Sequence, residues 1–246
     1  MHPLDGVRIK INRANEHIAE YWSELQTFRK TNPYSVREDI DTQSGNKVWI
    51  VNSKITTPPL SLSAIIGDAI HNFRSTLDYL AWQLVIANGG IPDNITAFPI
   101  CTKSSQWGRA QRKLQGMNDR AKAIIKSEQP CFSNHFYRRQ WFTWLEELDI
   151  MDKHKYIQIT QTATGGGLFS HALPLNTQYF IYEGIVQNGT KLASVPQAYS
   201  YVNFNPAIDI SFGDGTSALG ESVYVTLHDF NVLVEDTVTM FKNFFH

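Results

Sequence analysis

Apolar residues first recur at three-to-four spacing along the chain, at Val7, Ile11, Ile18, Tyr21 or Trp22, Leu25 and Phe28. That period predicts a helix over residues 6–30, stopped by Thr-Asn-Pro at 31–33. The pattern then switches to alternation. In YSVREDIDTQSGNKVWIVNSKI, residues 34–55, Ser-Gly-Asn separates two alternating runs, and Val48, Trp49, Ile50 and Val51 all favour strand, so a hairpin is expected. Thr-Thr-Pro-Pro breaks the second run and offers Ser61 or Ser63 as N-cap for a long helix over about 62–88. Asn-Gly-Gly at 88–90 closes that helix. Irregular chain containing Phe-Pro-Ile follows at 90–103, then one or two short helices over 104–128 split near Gly116. A third strong helix is expected over 136–151, with Trp141, Leu145 and Leu148 on one face.

After Asp-Lys-His-Lys at 152–155 the period falls to two. YIQITQTA, TQYFIYEGIV, KLASV, AIDISFG and SVYVTL are strand candidates separated by glycine and asparagine clusters. The glycine-rich ATGGGL at 163–168 reads as a flexible turn between two strands, because no helical pattern follows to aim amides at a phosphate. Helical spacing returns through Phe230, Leu233, Val234, Thr237, Phe241 and Phe244. The expected class is α+β: a helical bundle in a helix-rich segment, residues 1–155, packed with an antiparallel β-sheet formed by the early hairpin and a strand-rich segment, residues 156–227, and a closing C-terminal helix at 228–246. Two strands alone are marginal, so the hairpin should join the later strands in one sheet and make 1–246 a single integrated domain.

Composition narrows the function classes. A chain of 246 residues, 42% hydrophobic and 18% charged, can bury a real core. Twenty-two Lys+Arg against 23 Asp+Glu leave a formal charge of −1, so an anionic partner needs a local patch. No apolar run approaches the ~20 residues of a membrane helix, and the amino terminus lacks a secretory signal's apolar core. No membrane partner is expected, and the implied compartment is a reducing cytoplasm. Cys101 and Cys131 are too few for a disulfide framework and read as small buried apolar groups. No P-loop, nucleophile elbow or Rossmann fingerprint appears, and no cofactor is expected.

The chemistry concentrates in GDAIHNFRSTLDYLAWQLV, residues 67–85. At ~100° per residue, Leu62, Ile65, Ile66, Ala69, Ile70, Phe73, Leu77, Leu80 and Leu84 share one side. His71 and Asp78 point away from it, flanked by Asp68, Ser75 and Trp82, with Arg74 at the other edge. Arg74 and Asp78 are spaced for an i,i+4 ion pair. A plain solvated face would favour Lys, Glu and Gln, whereas this one holds His, Asp, Ser and Trp. Tyr79 and Trp82 beside the charges imply a cover, and a covered polar face must be paired or form a cleft. Asp152, Lys153 and His154, at the end of the third helix, could complete such a site if folding brings them to His71.

The run GDAIHNFRSTLDYLAW, with the later DKHK, resembles an uncharacterised bacterial family whose members carry G-D/E-x-x-H-N-L-R-S-A-L-D-H-L and then D-K-H-R. Phe-Pro-Ile at 98–100 matches loosely, and the β-rich half only in layout. More distantly, the stretch is similar to the Arg and following His of HEPN-superfamily proteins, helical bundles that include metal-independent dimeric RNases. That resemblance implies RNA as partner, a homodimer, and a HEPN-like role for Arg74 at the scissile phosphate with a His assisting the 2′-OH. The position matching the His is Tyr79, a poor general base at neutral pH, which could act as an acid while His71 substitutes from one turn earlier. On this reading His71, Arg74, Asp78 and Tyr79 are catalytic, and Asp68, Asn72, Trp82, Asp152, Lys153 and His154 bind. Arg109, Arg112, Lys113, Arg120, Lys122 and Lys126 would meet phosphate. One alternative is a metal-dependent hydrolase with Asp68, His71, Asp152 and His154 as ligands. Another is a non-catalytic module that binds a protein or seats a small anionic ligand on Arg74, with Trp49, Trp82, Trp107, Trp141 and Trp144 walling a pocket.

Overall fold

Among the described residues, 2–52, 56–169 and 177–245 of a computed structural model, the helical periods become six α-helices. They are α1 (Asp5–Lys30), α2 (Leu60–Ala87), α3 (Trp107–Ala110), α4 (Asp119–Glu128), α5 (Phe136–His154) and α6 (Val223–Met240). Seven strands accompany them: β1 (Val36–Ile40), β2 (Lys47–Val51), β3 (Ile159–Phe169), β4 (Phe180–Ile181), β5 (Glu183–Ile185), β6 (Lys191–Val195) and β7 (Asn203–Phe212). The class is α+β, with antiparallel pairing at every named strand pair. Two compact units partition the chain: Met1–Trp22, Ser63–Ile157 and Tyr224–His246 form one, Ser23–Leu62 and Gln158–Val223 the other. Of the stretches read from sequence, residues 1, 53–55, 170–176 and 246 lie outside the described residues.

The first unit is helical. Val7, Ile11 and Ile18 of α1, Ile66, Ile70, Phe73, Leu77 and Leu80 of α2, and Phe142, Leu145 and Leu148 of α5 are buried. So are Leu227, Phe230 and Leu233 of α6. Each such side chain contributes about 1.5–3 kcal/mol by leaving water. Tyr21 rather than Trp22 takes the inward position on α1, being fully buried where Trp22 is 42% exposed. On α5, Phe142 and Trp144 join the core while Trp141 is half-buried.

Three local expectations are corrected here. α2 starts at Leu60, directly after Pro58 and Pro59, with Leu62 N donating to Pro59 O at 3.1 Å, so Ser61 and Ser63 lie inside the helix rather than capping it. Proline's fixed φ suits a helix start without a hydroxyl cap. SVYVTL is helical from Val223, not a strand. Its β-branched residues yield because Val223, Leu227, Phe230 and Val234, at helical spacing, are all fully buried. Cys101 is buried but Cys131 only partly. The short-helix region splits as expected, into α3 with flanking 3₁₀ turns and then α4, around Gly116, whose φ of +85° favours glycine.

The second unit carries all seven strands in two sheets, ordered β1-β2-β6-β4 and β5-β3-β7. The early hairpin does recruit a later strand: β2 pairs β6 with Lys47 opposite Val195 and Trp49 opposite Ala193. One continuous sheet does not form, because TQYFIYEGIV divides into β4, which pairs β6, and β5, which pairs β3. The glycine-rich stretch is no flexible turn. It lies within β3, which pairs β7 on both sides of a register shift between Ala163 and Gly166. Gly165 at φ +106° accommodates the bulge, and a Cβ on Gly166 would stand 2.5 Å from the Phe204 ring. No helix among the described residues is long and apolar enough to cross a membrane.

Candidate functional site

The polar edge of α2 is closed by α5 and by the irregular chain at Phe98. Arg74, only 6% exposed, spends all three guanidinium nitrogens internally. Nε donates to Glu146 Oε2 at 2.8 Å, one terminal nitrogen to Asp78 Oδ1 at 2.6 Å, and the other to the Phe98 carbonyl at 3.0 Å. Asp78 Oδ1 also accepts from Phe98 N at 2.9 Å, so the pair clamps both the amide and the carbonyl of Phe98. Burial alone would lower the Arg74 pKa, but the charges of Asp78 and Glu146 outweigh it and hold the guanidinium above its ordinary value. This arginine ties α2, α5 and the 98 segment together. All three of its nitrogens are committed to the fold.

One turn earlier the arrangement is different. His71 Nδ1 lies 3.1 Å from Asp149 Oδ1, yet the imidazole side chain is 55% exposed while the Asp149 carboxylate is 2% exposed. A buried carboxylate thus holds an open ring, and among the described residues Nε2 meets no partner. Asp149 also pairs with Lys153 one turn along α5. Asp152 comes in beside them because residue 67 is glycine: a Cβ there would stand 2.0 Å from Asp152 Oδ1. Burial pushes the Asp152 carboxyl above the usual range, and the charges of Asp68 and Asp149 push it further. His71 and Lys153 pull it partly back. Asp68, His71, Asp149, Asp152 and Lys153 therefore form one electrostatic cluster across α2 and α5.

The other flank of α2 faces α1. Lys10 Nζ donates to Ser75 Oγ at 3.1 Å, and a Cβ on Gly6 would stand 2.5 Å from the Tyr79 ring. Tyr79 is thus packed against α1 and offers no contact to His71. Asn72 turns its amide onto the Asp68 carbonyl of its own helix, at 2.8 Å. Trp82 is 38% exposed, so the cover expected over it is absent among the described residues. His154 ends α5 exposed, with no partner among the described residues. Among those residues no three His, Cys, Asp or Glu side chains gather as a metal ligand set, and Asp68, His71, Asp152 and His154 do not converge as one. Trp49 belongs to an apolar cluster of the second unit with Ala193, Val195 and Val202.

Sequence reasoning missed Glu146 and Asp149. The available signal was the spacing Glu146, Asp149, Asp152 and Lys153, a polar stripe at three-to-four intervals along α5. Three comparisons add no relative: no family model, no curated protein and no solved structure matches this chain.

Proposed function

We propose that the α2–α5 face is a metal-independent acid–base site, centred on His71 and oriented by Asp149, with RNA as its substrate. The single observation that carries this reading is the half-exposed imidazole held through Nδ1 by a buried carboxylate, at 3.1 Å. Such a bond sets the ring's orientation and leaves Nε2 as the working nitrogen. In RNA, Nε2 would take the 2′-OH proton while the 2′ oxygen attacks phosphorus. The P–O5′ bond breaks, and the 5′ oxygen leaves with a proton relayed from water by Asp152, the carboxyl that Gly67 admits to the cluster. The products are a 2′,3′-cyclic phosphate and a 5′-hydroxyl. Arg74 is committed to the fold, so phosphate charge falls to Lys153, whose side chain is 50% exposed.

The test is cleavage of an end-labelled RNA in excess EDTA. Wild type cuts, leaving cyclic phosphate termini, and His71→Ala loses at least ~100-fold in rate, the usual worth of a positioned base. Absence of cutting, or cutting abolished by EDTA, refutes the proposal. A second reading, a non-catalytic binding module in a cytoplasmic homodimer, is favoured by the complete internal engagement of Arg74. It predicts unaltered RNA and a ligand-dependent rise in melting temperature.

A further inference from the structure

A separate cavity of about 700 Å³ opens between the 95–101 segment and the 105–113 turns of the first unit. Ile95, Pro99 and Ile100 line it, together with Arg109, Arg112 and Lys113. Among the described residues no acidic side chain lines it. In the same unit Lys122 pairs with Asp119, Arg138 with Glu128, and Arg74 with two carboxylates. Among the described residues Arg109, Arg112 and Lys113 meet no carboxylate. Three cations lining one cavity without counter-charge repel one another, and an anion bound among them relieves that cost.

The walls are stitched together rather than loose. Ala97 N donates to the Lys113 carbonyl, Cys131 N donates to the Cys101 carbonyl at 3.1 Å, and Cys101 N donates to Gln129 Oε1 at 2.9 Å. A site formed in advance loses little entropy on binding. The volume suits one small molecule, within the ~300–1,000 Å³ of typical ligand pockets.

We infer that this cavity binds a phosphorylated small molecule of nucleotide size, its phosphates on Arg109, Arg112 and Lys113 and its apolar body on Ile95, Pro99 and Ile100. A continuous polynucleotide backbone would need a track of cations, whereas these three line one cavity together with apolar side chains. The site shares no residue with the His71 cluster and is read by binding alone, so its failure and that of the acid–base reading are independent.

The experiment is isothermal titration of the full chain at low salt with three probes: ADP, inorganic pyrophosphate and adenosine. ADP is expected to bind, with pyrophosphate and adenosine each at least about tenfold weaker, because each supplies only one half of the recognition. The double variant Arg109→Gln/Arg112→Gln should weaken ADP at least about tenfold, as expected for lost charge-assisted contacts. Both side chains are exposed, so melting temperature should not move. Arg120→Gln/Lys122→Gln, which removes the same charge outside the cavity, should leave ADP affinity unchanged. Three results would each overturn the inference: no ADP binding, equal weakening by both double variants, or binding of an RNA oligomer where ADP does not bind.

Discussion

Replacing Arg74 by alanine separates a structural tie from a phosphate contact. The substitution strips Glu146, Asp78 and the Phe98 carbonyl of their shared donor. Removing one partner of a fully buried ion pair costs about 3–5 kcal/mol. Here the two carboxylates retain side-chain exposures of 25% and 39%, so water partly replaces the guanidinium. The expected loss is therefore about 2–4 kcal/mol, shifted below the fully buried case. For a chain of this length that corresponds to a fall in Tm of roughly 5–12 °C. Arg74→Lys keeps the charge but cannot reach three acceptors in three directions, and should lose roughly half as much. The assay is thermal unfolding followed by far-ultraviolet circular dichroism, with Arg74→Ala/Asp78→Ala closing a double-mutant cycle. The two losses should be strongly non-additive. A loss below ~0.5 kcal/mol, together with vanished activity, would refute the structural assignment and return Arg74 to the substrate.

Two further outcomes follow from the same geometry. The Asp152 carboxyl titrates higher in the folded chain than in the unfolded one, so its contribution is fully favourable below the ordinary aspartate range and is lost as pH rises through the raised value. Asp152→Asn should accordingly raise Tm at pH 7, with the gain closing below about pH 4; a lower Tm at pH 7 would contradict the burial argument. Gly67→Ala gains up to ~1 kcal/mol of helix propensity but places a methyl where the Asp152 carboxylate lies. Stability should change little while RNA cleavage falls at least about tenfold, and an undiminished rate would remove Asp152 from the chemistry.

The apolar side of α2 was legible because nearly every residue on it obeys one period, and Arg74–Asp78 because the pair is local. Glu146 and Asp149 were not, since their meeting with Arg74 and His71 depends on the register between α5 and α2, which no local spacing encodes. The covering of the polar stripe proved uneven. Phe98 and α5 enclose Arg74, whereas His71 and Trp82 stay open. The start of α6 was hidden because Val223, Tyr224 and Val225 alternate like a strand, and only burial at 223, 227 and 230 shows the helical face. The triple glycine looked like a turn because a bulged strand needs the same conformational freedom.

Nitrogen-15 NMR of the His71 ring probes the proposed dyad most directly. At neutral pH the neutral imidazole should carry its proton on Nδ1, donated to Asp149, with Nε2 showing the shift of a bare acceptor. Asp149→Asn should abolish that preference. An Nε2-protonated ring in the wild type, or a tautomer ratio unchanged by Asp149→Asn, would contradict the account.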